Sequence, residues 1–188
     1  MTDMEFKETE IKGVFVIEPR VFGDSRGYFF ESYSKKEFDE KIGYEVNFVQ
    51  DNQSKSSYGV MRGLHFQKPP YCQAKLVRCT QGKVIDVAVD LREGSPTYGK
   101  HVAVELSEDN HRTFYIPHGF AHGFAVLSDT AVFQYKCDNY YHPEAEGGIS
   151  ILDESLGIDW GIDPGKALLS DKDLKHPLLK DFKTPFKL

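Results

Sequence analysis

The segment 62–75 contains the side chains best suited to chemistry, because His65 lies between two basic residues, Arg62 and Lys75. A neutral imidazole can accept a proton near pH 7, since its unperturbed pKa is about 6.5. A nearby ammonium group can stabilise the negative charge that forms when a carbon acid loses a proton. A base and an anion-stabilising group in one short segment indicate proton abstraction next to a carbonyl group.

Two further histidines, His118 and His122, lie in the segment 116–124. Their spacing would suit a metal pair on a helix, but the proline and glycines around them disfavour a helix. We therefore expect a rigid turn that places His122 in a pocket. A metal site that includes His65, His118 and His122 is the competing hypothesis.

Several other side chains fit ordinary structural roles when they are considered singly. Tyr135 lies on an alternating strand pattern, where a core tyrosine with a satisfied hydroxyl is the simpler interpretation. Tyr141 lies in an aromatic turn that suits either packing or contact with a planar ligand group. Arg26, Lys172 and Asp173 alone indicate only solvated charges in turns.

Composition restricts the classes of protein that the chain can represent. A length of 188 residues predicts a single domain, 1–188. The formal net charge of -6 argues against general nucleic-acid binding, so any anionic ligand must meet a local basic cluster. No apolar run approaches the ~18 residues that would predict a membrane span.

The cysteines and the N-terminal sequence indicate a cytoplasmic protein. Three cysteines, with no Cys-x-x-Cys pair, predict neither a disulfide framework nor a zinc ribbon. Reduced thiols in the cytoplasm are the simple interpretation. The first residues lack a basic region followed by an apolar run, so we expect no signal peptide.

The pattern of elements predicts a mainly β fold. Residues 83–91 alternate, with Ile85, Val87, Val89 and Leu91 on one face. Short strands separated by regular turns indicate an antiparallel sandwich or barrel. One helix is predicted from a capping box at Ser34 and Glu37, ending at Gly43. The C-terminal segment, about 153–188, is expected to pack over the barrel with short helical turns.

Taken together, the chain resembles the dTDP-4-dehydrorhamnose 3,5-epimerase family from about Phe15 to Asp173. The family's hallmarks occur in order in the segments 27–31, 50–52, 62–65, 73–75, 90–99, 116–124 and 169–173. The resemblance implies a cupin-type antiparallel β-barrel (jelly roll) with a few short helices. It also implies a homodimer that shares N-terminal strands, and no metal or organic cofactor. The implied substrate is dTDP-4-dehydro-6-deoxy-D-glucose and the product dTDP-4-dehydro-L-rhamnose.

The resemblance also assigns roles to residues. His65 is the implied base, Asp173 its partner by motif register in preference to Asp171, Lys75 the enolate-stabilising donor and Tyr135 the acid on the opposite face of the sugar. The remaining implied substrate-binding positions are Arg26, Glu31, Gln50, Asp51, Asn52, Arg62, His122, Tyr141, Glu146 and Lys172. A related dTDP-keto-sugar 3-epimerase, 5-epimerase or ketoisomerase is the alternative, since an enzyme that inverts only one centre can carry the same residues. A metal-dependent cupin and a non-catalytic nucleotide-sugar binding module are two further hypotheses.

Overall fold

The computed structural model describes residues 4–188, which form a mainly β fold. The strands in this part of the chain are β1 (Glu5–Glu8), β2 (Phe15–Glu18), β3 (Phe22–Asp24), β4 (Gly27–Phe29), β5 (Gln50–Ser57), β6 (Met61–Gln67), β7 (Lys75–Gln81), β8 (Lys83–Asp90), β9 (His101–Ser107), β10 (Thr113–Ile116), β11 (Phe120–Val126), β12 (Thr130–Cys137) and β13 (Glu146–Gly148). The α-helix is α1 (Lys35–Ile42). Short 3₁₀ turns occupy Pro143–Ala145, Glu154–Leu156, Pro164–Lys166, Asp173–Lys175 and Leu179–Asp181.

The strands form two antiparallel sheets and a separate hairpin. The first sheet has the order β1-β2-β10-β7-β12-β5, and the second sheet has the order β13-β6-β11-β8-β9. Strands β3 and β4 pair only with each other in the described residues. The predicted mainly β, jelly-roll fold is confirmed, although the strand pairing gives two open sheets instead of one continuous barrel.

The hydrophobic core fills the space between the two sheets. Val77 and Phe133 of the first sheet meet Leu106 and Phe124 of the second, and all are nearly or fully buried. The rings of Phe124 and Phe133 stack with centroids 4.2 Å apart. Burial of apolar side chains at this level stabilises the fold by about 1.5–3 kcal/mol for each large residue.

Helix α1 covers the outer face of the first sheet. Its buried Phe38 packs edge-on against Tyr115, with ring centroids 5.0 Å apart. The helix ends at Gly43, whose φ of 91° suits glycine, as predicted. The prediction of a capping box is wrong. The Ser34 side chain makes no cap hydrogen bond, and Glu37 accepts a hydrogen bond from the Met4 N–H at 3.0 Å.

The C-terminal segment packs against the outer face of the second sheet. Phe182 and Phe186 contact Phe66 with ring centroids 5.4 and 5.2 Å apart. The hydroxyl of Thr184 donates to the carbonyl of Leu91. Since this segment buries the apolar face of β8, the opposite face of that strand turns inward between the sheets.

The inward face of β8 therefore carries two fully buried carboxylates, Asp86 and Asp90. Asp90 accepts hydrogen bonds from Arg92, Ser95 and Thr97 at 2.6–2.9 Å, which fixes the loop after β8. No helix in residues 4–188 has both the length and the apolar character needed to cross a bilayer.

Candidate active site

A cavity of about 570 Å³ lies between the sheets and collects many of the predicted site residues. Both sheets and the segment 168–173 contribute to its walls. The predicted residues that line it are Arg62, His65, Lys75, His122, Tyr135, Lys172 and Asp173. Phe124 and Phe133 also line it, so the stacked rings of the core form part of the same cavity.

A smaller cavity of about 230 Å³ shares His65, Lys75 and Tyr135 with the first. It adds four more of the predicted residues, which are Gln50, Asn52, Tyr141 and Glu146. The two cavities therefore meet at the three side chains best suited to proton transfer and anion stabilisation.

His65 and Asp173 form a hydrogen-bonded pair, with 2.6 Å between Nε2 and Oδ1. The Asp173 side chain is only 4% exposed, and its Oδ2 accepts the Gly63 N–H at 3.4 Å. Burial by itself would raise the pKa of Asp173, but the hydrogen bond and charge of His65 outweigh it and hold that pKa below its usual value. An ionised Asp173 fixes the proton on one ring nitrogen and leaves the other nitrogen of His65 as a base.

An irregularity in β6 allows Arg62 and His65 to line one cavity. Residues three positions apart on a regular strand point to opposite faces. His65 pairs with His122, whereas Arg62 pairs with Phe124, so the register shifts between them. Gly63 lies at this shift with φ 131°, and a Cβ there would lie 2.6 Å from the Cα of Gly123. The glycine permits the close backbone approach that turns both side chains inward.

Lys75 and Tyr135 stand on the first sheet, facing His65 across the cavity. Tyr135 pairs with Val77, so Lys75 is a diagonal neighbour of Tyr135 on the adjacent strand. Burial lowers the pKa of Lys75, and the charges of Cys137 and Asp86 partly offset this effect. Burial also raises the pKa of Tyr135, which keeps its phenol protonated and able to donate.

Asp86 is a site residue that the sequence analysis did not identify. It is fully buried, and its carboxylate oxygens lie 2.9 and 3.0 Å from Nε2 of His122. Burial raises the pKa of Asp86 and lowers that of His122. The sequence does contain a signal for Asp86, because this aspartate lies within an apolar strand on the same face as Ala88. A carboxylate that is buried in such a strand needs a hydrogen-bonded or charged partner.

The mouth of the site carries a connected group of polar side chains. Glu146 forms an ion pair with Lys172 and accepts a hydrogen bond from the Tyr141 hydroxyl at 2.7 Å. Gln50 donates to Asn52 at 3.1 Å and accepts from the Tyr141 N–H at 3.2 Å. Lys172, with Arg62, offers positive charge to an anionic ligand.

Three predicted binding residues do not reach either cavity of this chain. Asp51 points to the outer face of β5 and pairs with Lys136 at 3.0 Å. Arg26 lies on the hairpin of β3 and β4, and its 87% exposed side chain pairs with Asp24. Glu31 lies beyond β4 and lines neither cavity.

The hypothetical metal set of His65, His118 and His122 is not assembled. His118 lines a different cavity and pairs with Asp138 at 2.8 Å. His65 and His122 each pair with a separate carboxylate. The cavity therefore presents a carboxylate-backed base on one sheet, with an ammonium group and a phenol on the other, which suits proton removal from one face of a carbon acid and return to the opposite face.

Comparison with known proteins agrees with this chemistry. A family model described as dTDP-4-dehydrorhamnose 3,5-epimerase matches residues 8–181. The Escherichia coli K12 enzyme of that name is 56% identical over 170 residues, which cover 90% of this chain and 91% of that protein. A crystal structure of dTDP-4-dehydrorhamnose 3,5-epimerase from Elizabethkingia anophelis has a TM-score of 0.91 at 56% identity, covering 95% of this chain and 97% of that chain.

A second solved structure carries a ligand. It is the dTDP-6-deoxy-D-glucose-3,5-epimerase of Legionella pneumophila in complex with dTDP-4-keto-L-rhamnose. Its TM-score is 0.92 at 49% identity, and the match covers 96% of this chain and 95% of that chain. The fold, the order of the motifs and these likenesses agree: the chain belongs to the dTDP-4-dehydrorhamnose 3,5-epimerase family.

Proposed function

We propose that this chain is an isomerase that converts dTDP-4-dehydro-6-deoxy-D-glucose to dTDP-4-dehydro-L-rhamnose, a reaction of dTDP-L-rhamnose biosynthesis. The observation that carries the proposal is the pair of opposed walls, with His65 and Asp173 on one side and Lys75 and Tyr135 on the other. The keto group of the sugar makes the hydrogens on both flanking carbons acidic, because the resulting anion is delocalised onto oxygen.

In the first half-reaction His65 removes a proton from a carbon beside the ketone. The electron pair of the broken C–H bond moves into the ring carbon–carbon bond and onto the keto oxygen, which becomes an enolate. Lys75 donates a hydrogen bond to that oxygen and stabilises its charge. Asp173 stabilises the imidazolium that forms on His65. General base catalysis of this kind contributes about 10²–10⁴-fold to the rate.

In the second half-reaction Tyr135 returns a proton to the same carbon from the opposite face. The enolate collapses to the ketone, the new C–H bond forms with inverted configuration, and a tyrosinate remains. Exchange with solvent removes the proton from His65 and restores the proton on Tyr135. The same cycle at the other flanking carbon inverts the second centre.

The nucleotide is proposed to lie at the mouth of the site. Arg62 and Lys172 contact the diphosphate, since guanidinium and ammonium groups both pair with phosphate oxygens. Tyr141 stacks on the thymine ring, and its hydroxyl bond to Glu146 holds the ring in place. Gln50 and Asn52 supply further hydrogen bonds beside it.

Deuterium exchange tests the reaction directly. Incubation of the keto sugar with enzyme in deuterium oxide should incorporate two deuterons per product molecule, counted by mass spectrometry. His65→Ala should abolish this exchange, because the base is lost. His101→Ala removes a histidine from β9, away from both cavities, and is the matched control that should keep it. One deuteron would identify an enzyme that inverts a single centre, and absence of exchange would refute the proposal.

We also propose that the active form is a homodimer in which the β3–β4 hairpin contacts the partner subunit. The hairpin exposes 42% of Phe22, 63% of Tyr28 and 66% of Phe29, a concentration of apolar surface that suits burial in an interface. Such burial would carry Arg26 toward the partner's cavity, where its charge can meet the diphosphate of the substrate.

A mixing experiment tests this arrangement. His65→Ala and Arg26→Ala are each expected to have little activity as homodimers. After subunit exchange, a mixed dimer has one site with both His65 and Arg26 intact, so random pairing should restore about a quarter of the sites. If Arg26 served its own subunit, or if the active protein were a monomer, mixing would restore nothing.

The proposed location is the cytoplasm and the proposed reaction needs no cofactor. Support for the location comes from Cys72, Cys79 and Cys137, which are all free thiols. Extensive dialysis against a chelator should leave the rate of deuterium exchange unchanged, and restoration of lost activity by a metal would contradict the second proposal.

A further inference from the structure

His176 is a largely buried histidine to which the proposed reaction assigns no role. Its side chain is only 12% exposed. Its Nε2 is buried without a hydrogen-bond partner, which occurs at no other side-chain nitrogen or oxygen in residues 4–188. A buried polar atom left unpaired is costly, and an absent ion or water is one explanation for such an atom.

The unpaired nitrogen points toward the catalytic pair. His176 Nε2 lies 3.8 Å from Oδ1 of Asp173, the same oxygen that contacts His65. The rings of His65 and His176 lie edge to face with centroids 5.6 Å apart. His65 and Asp173 line the open cavity, so solutes have a route to this point.

The backbone around His176 is built to hold the ring there. A Cβ on Gly148 would lie 2.6 Å from His176 Nε2, so only glycine leaves space for the imidazole. The residue after His176 is tied to the segment that follows β13, because the Ser150 N–H donates to the Pro177 carbonyl at 2.8 Å. The ring position is therefore set by the fold on both sides.

Two imidazoles and one carboxylate are a ligand set that binds transition metals well. The three ligand atoms lie within 4.8 Å of one another. Donors that share one zinc ion are about 3–4 Å apart, because each bond is about 2.0–2.2 Å long. The 3.8 Å between His176 Nε2 and Asp173 Oδ1 already fits this range. His65 Nε2 lies only 2.6 Å from the same oxygen, so the ion must replace the proton between these two groups and move them apart. The nearby charge of Lys172 is balanced by its ion pair with Glu146.

We propose that His65, Asp173 and His176 form a binding site for a divalent transition-metal ion such as Zn²⁺, and that the bound ion inhibits the enzyme. The ion replaces the proton between His65 Nε2 and the Asp173 carboxylate. That proton passes to Nδ1 of His65, so the ring keeps no free lone pair and the base is lost. It is an inhibitor and not a cofactor. The inhibition rests on the proposed function, whereas binding of the ion does not.

The experiment uses the metal-free full-length protein and two readouts. Cobalt(II) binding is measured by the visible absorption of the bound ion and by its displacement with zinc. Inhibition by zinc is measured as the loss of deuterium exchange. The wild type should bind one cobalt ion and lose activity to zinc reversibly. His176→Phe keeps a ring of similar size and removes the ligand, so it should stay active and need at least about tenfold more zinc for half inhibition.

Two variants serve as controls. His176→Ala repeats the test without the bulk of a ring. His118→Ala removes a histidine from another His–Asp pair, which has no third ligand residue within the described part of the chain, and should change neither readout. Equal zinc sensitivity and equal cobalt spectra in wild type and both His176 variants would overturn the proposal. Cobalt binding that needs His176, without inhibition of an active enzyme, would overturn the inhibitory role. A wild type that binds cobalt through His176 but never exchanges deuterium would keep the site and refute the proposed function.

Discussion

At the scale of single residues, buried or half-buried aspartates orient three histidines of this protein. Asp173 holds His65, Asp86 holds His122 and Asp138 holds His118, each through Nε2 at 2.6–2.9 Å. In each pair the carboxylate is the more buried partner. In each pair the carboxylate thus sets the orientation of the imidazole ring. The same hydrogen bond decides which ring nitrogen carries the proton.

Asp138 links this pattern to Lys75. Its Oδ1 accepts the Ala74 N–H at 2.7 Å, and its own N–H donates to the Ala74 carbonyl at 3.3 Å, so it fixes the start of β7. We expect Asp138→Ala to lower kcat roughly 10–100-fold with little change in KM, because a displacement of about 1 Å at a catalytic group can cost this much. Asp138→Asn keeps an acceptor for the Ala74 N–H and should retain most activity.

The control for this prediction is Asp39. Its Oδ1 accepts the Val46 N–H at 3.0 Å and its Oδ2 contacts Lys35 at 2.5 Å, so it makes the same kind of bonds on α1. Asp39→Ala should lower stability without changing kcat of the folded enzyme. Steady-state kinetics with a thermal melt for each variant separate the two effects, and a wild-type kcat in Asp138→Ala would contradict the role of Asp138.

Only some of these residues could be identified from sequence. The resemblance placed His65, Lys75, Tyr135 and Asp173 in motif register, and the structure brings them to one cavity. Their individual roles stay predictions. Asp86 was missed because alternation shows that residues share a face but does not show which face is buried.

At the scale of elements, the C-terminal segment decides the orientation of the second sheet. The alternating pattern of β8 was correct, yet its apolar face points outward and is covered by residues far along the chain. A local pattern contains no information about such a distant covering segment. The helix shows the same limit, because its end at Gly43 was predictable from local conformation whereas the contact of Glu37 with Met4 was not.

Phe186 provides a test of this covering segment. It is 4% exposed and packs against Phe66. Phe186→Ala should lower the free energy of unfolding by about 3–5 kcal/mol, since it removes a large buried ring and leaves a cavity. Leu188→Ala changes a nearby residue that is 72% exposed and should stay within about 0.5 kcal/mol of wild type. Urea denaturation measures both, and equal midpoints would show that the segment contributes little.

At the scale of the whole molecule, the order of motifs predicted the family and its jelly-roll fold, because long motifs in fixed order constrain the entire chain. The single domain, the dimer and the location stay predictions. The charge balance of the fold was not predictable, since it depends on which carboxylates become buried. Asp90, Glu146, Asp153 and Asp173 are all partly or fully buried and retain lowered pKa values, because hydrogen bonds and cations outweigh burial.

These lowered pKa values predict sensitivity to acid. A carboxylate with a lower pKa in the folded state contributes stability that is fully present above its unfolded pKa of about 4 and is lost as pH falls through the folded value. We therefore expect the melting temperature to fall progressively below about pH 4–5. Melting curves from pH 7 to pH 3 at constant ionic strength measure this effect. A melting temperature that stays constant down to pH 3 would contradict it.

The placement of His65 on one sheet and of Tyr135 on the other has an evolutionary consequence under the proposed mechanism. The gap between these two side chains depends on the spacing of the two layers, which interior rings such as Phe124 and Phe133 help to set. A lineage cannot acquire this reaction by receiving a loop or a single strand, because no short piece of chain contains the gap. A descendant keeps the activity only if it keeps the hydrophobic core between the sheets. Substitutions at these core positions are therefore limited by the need to protonate a sugar carbon from the correct face.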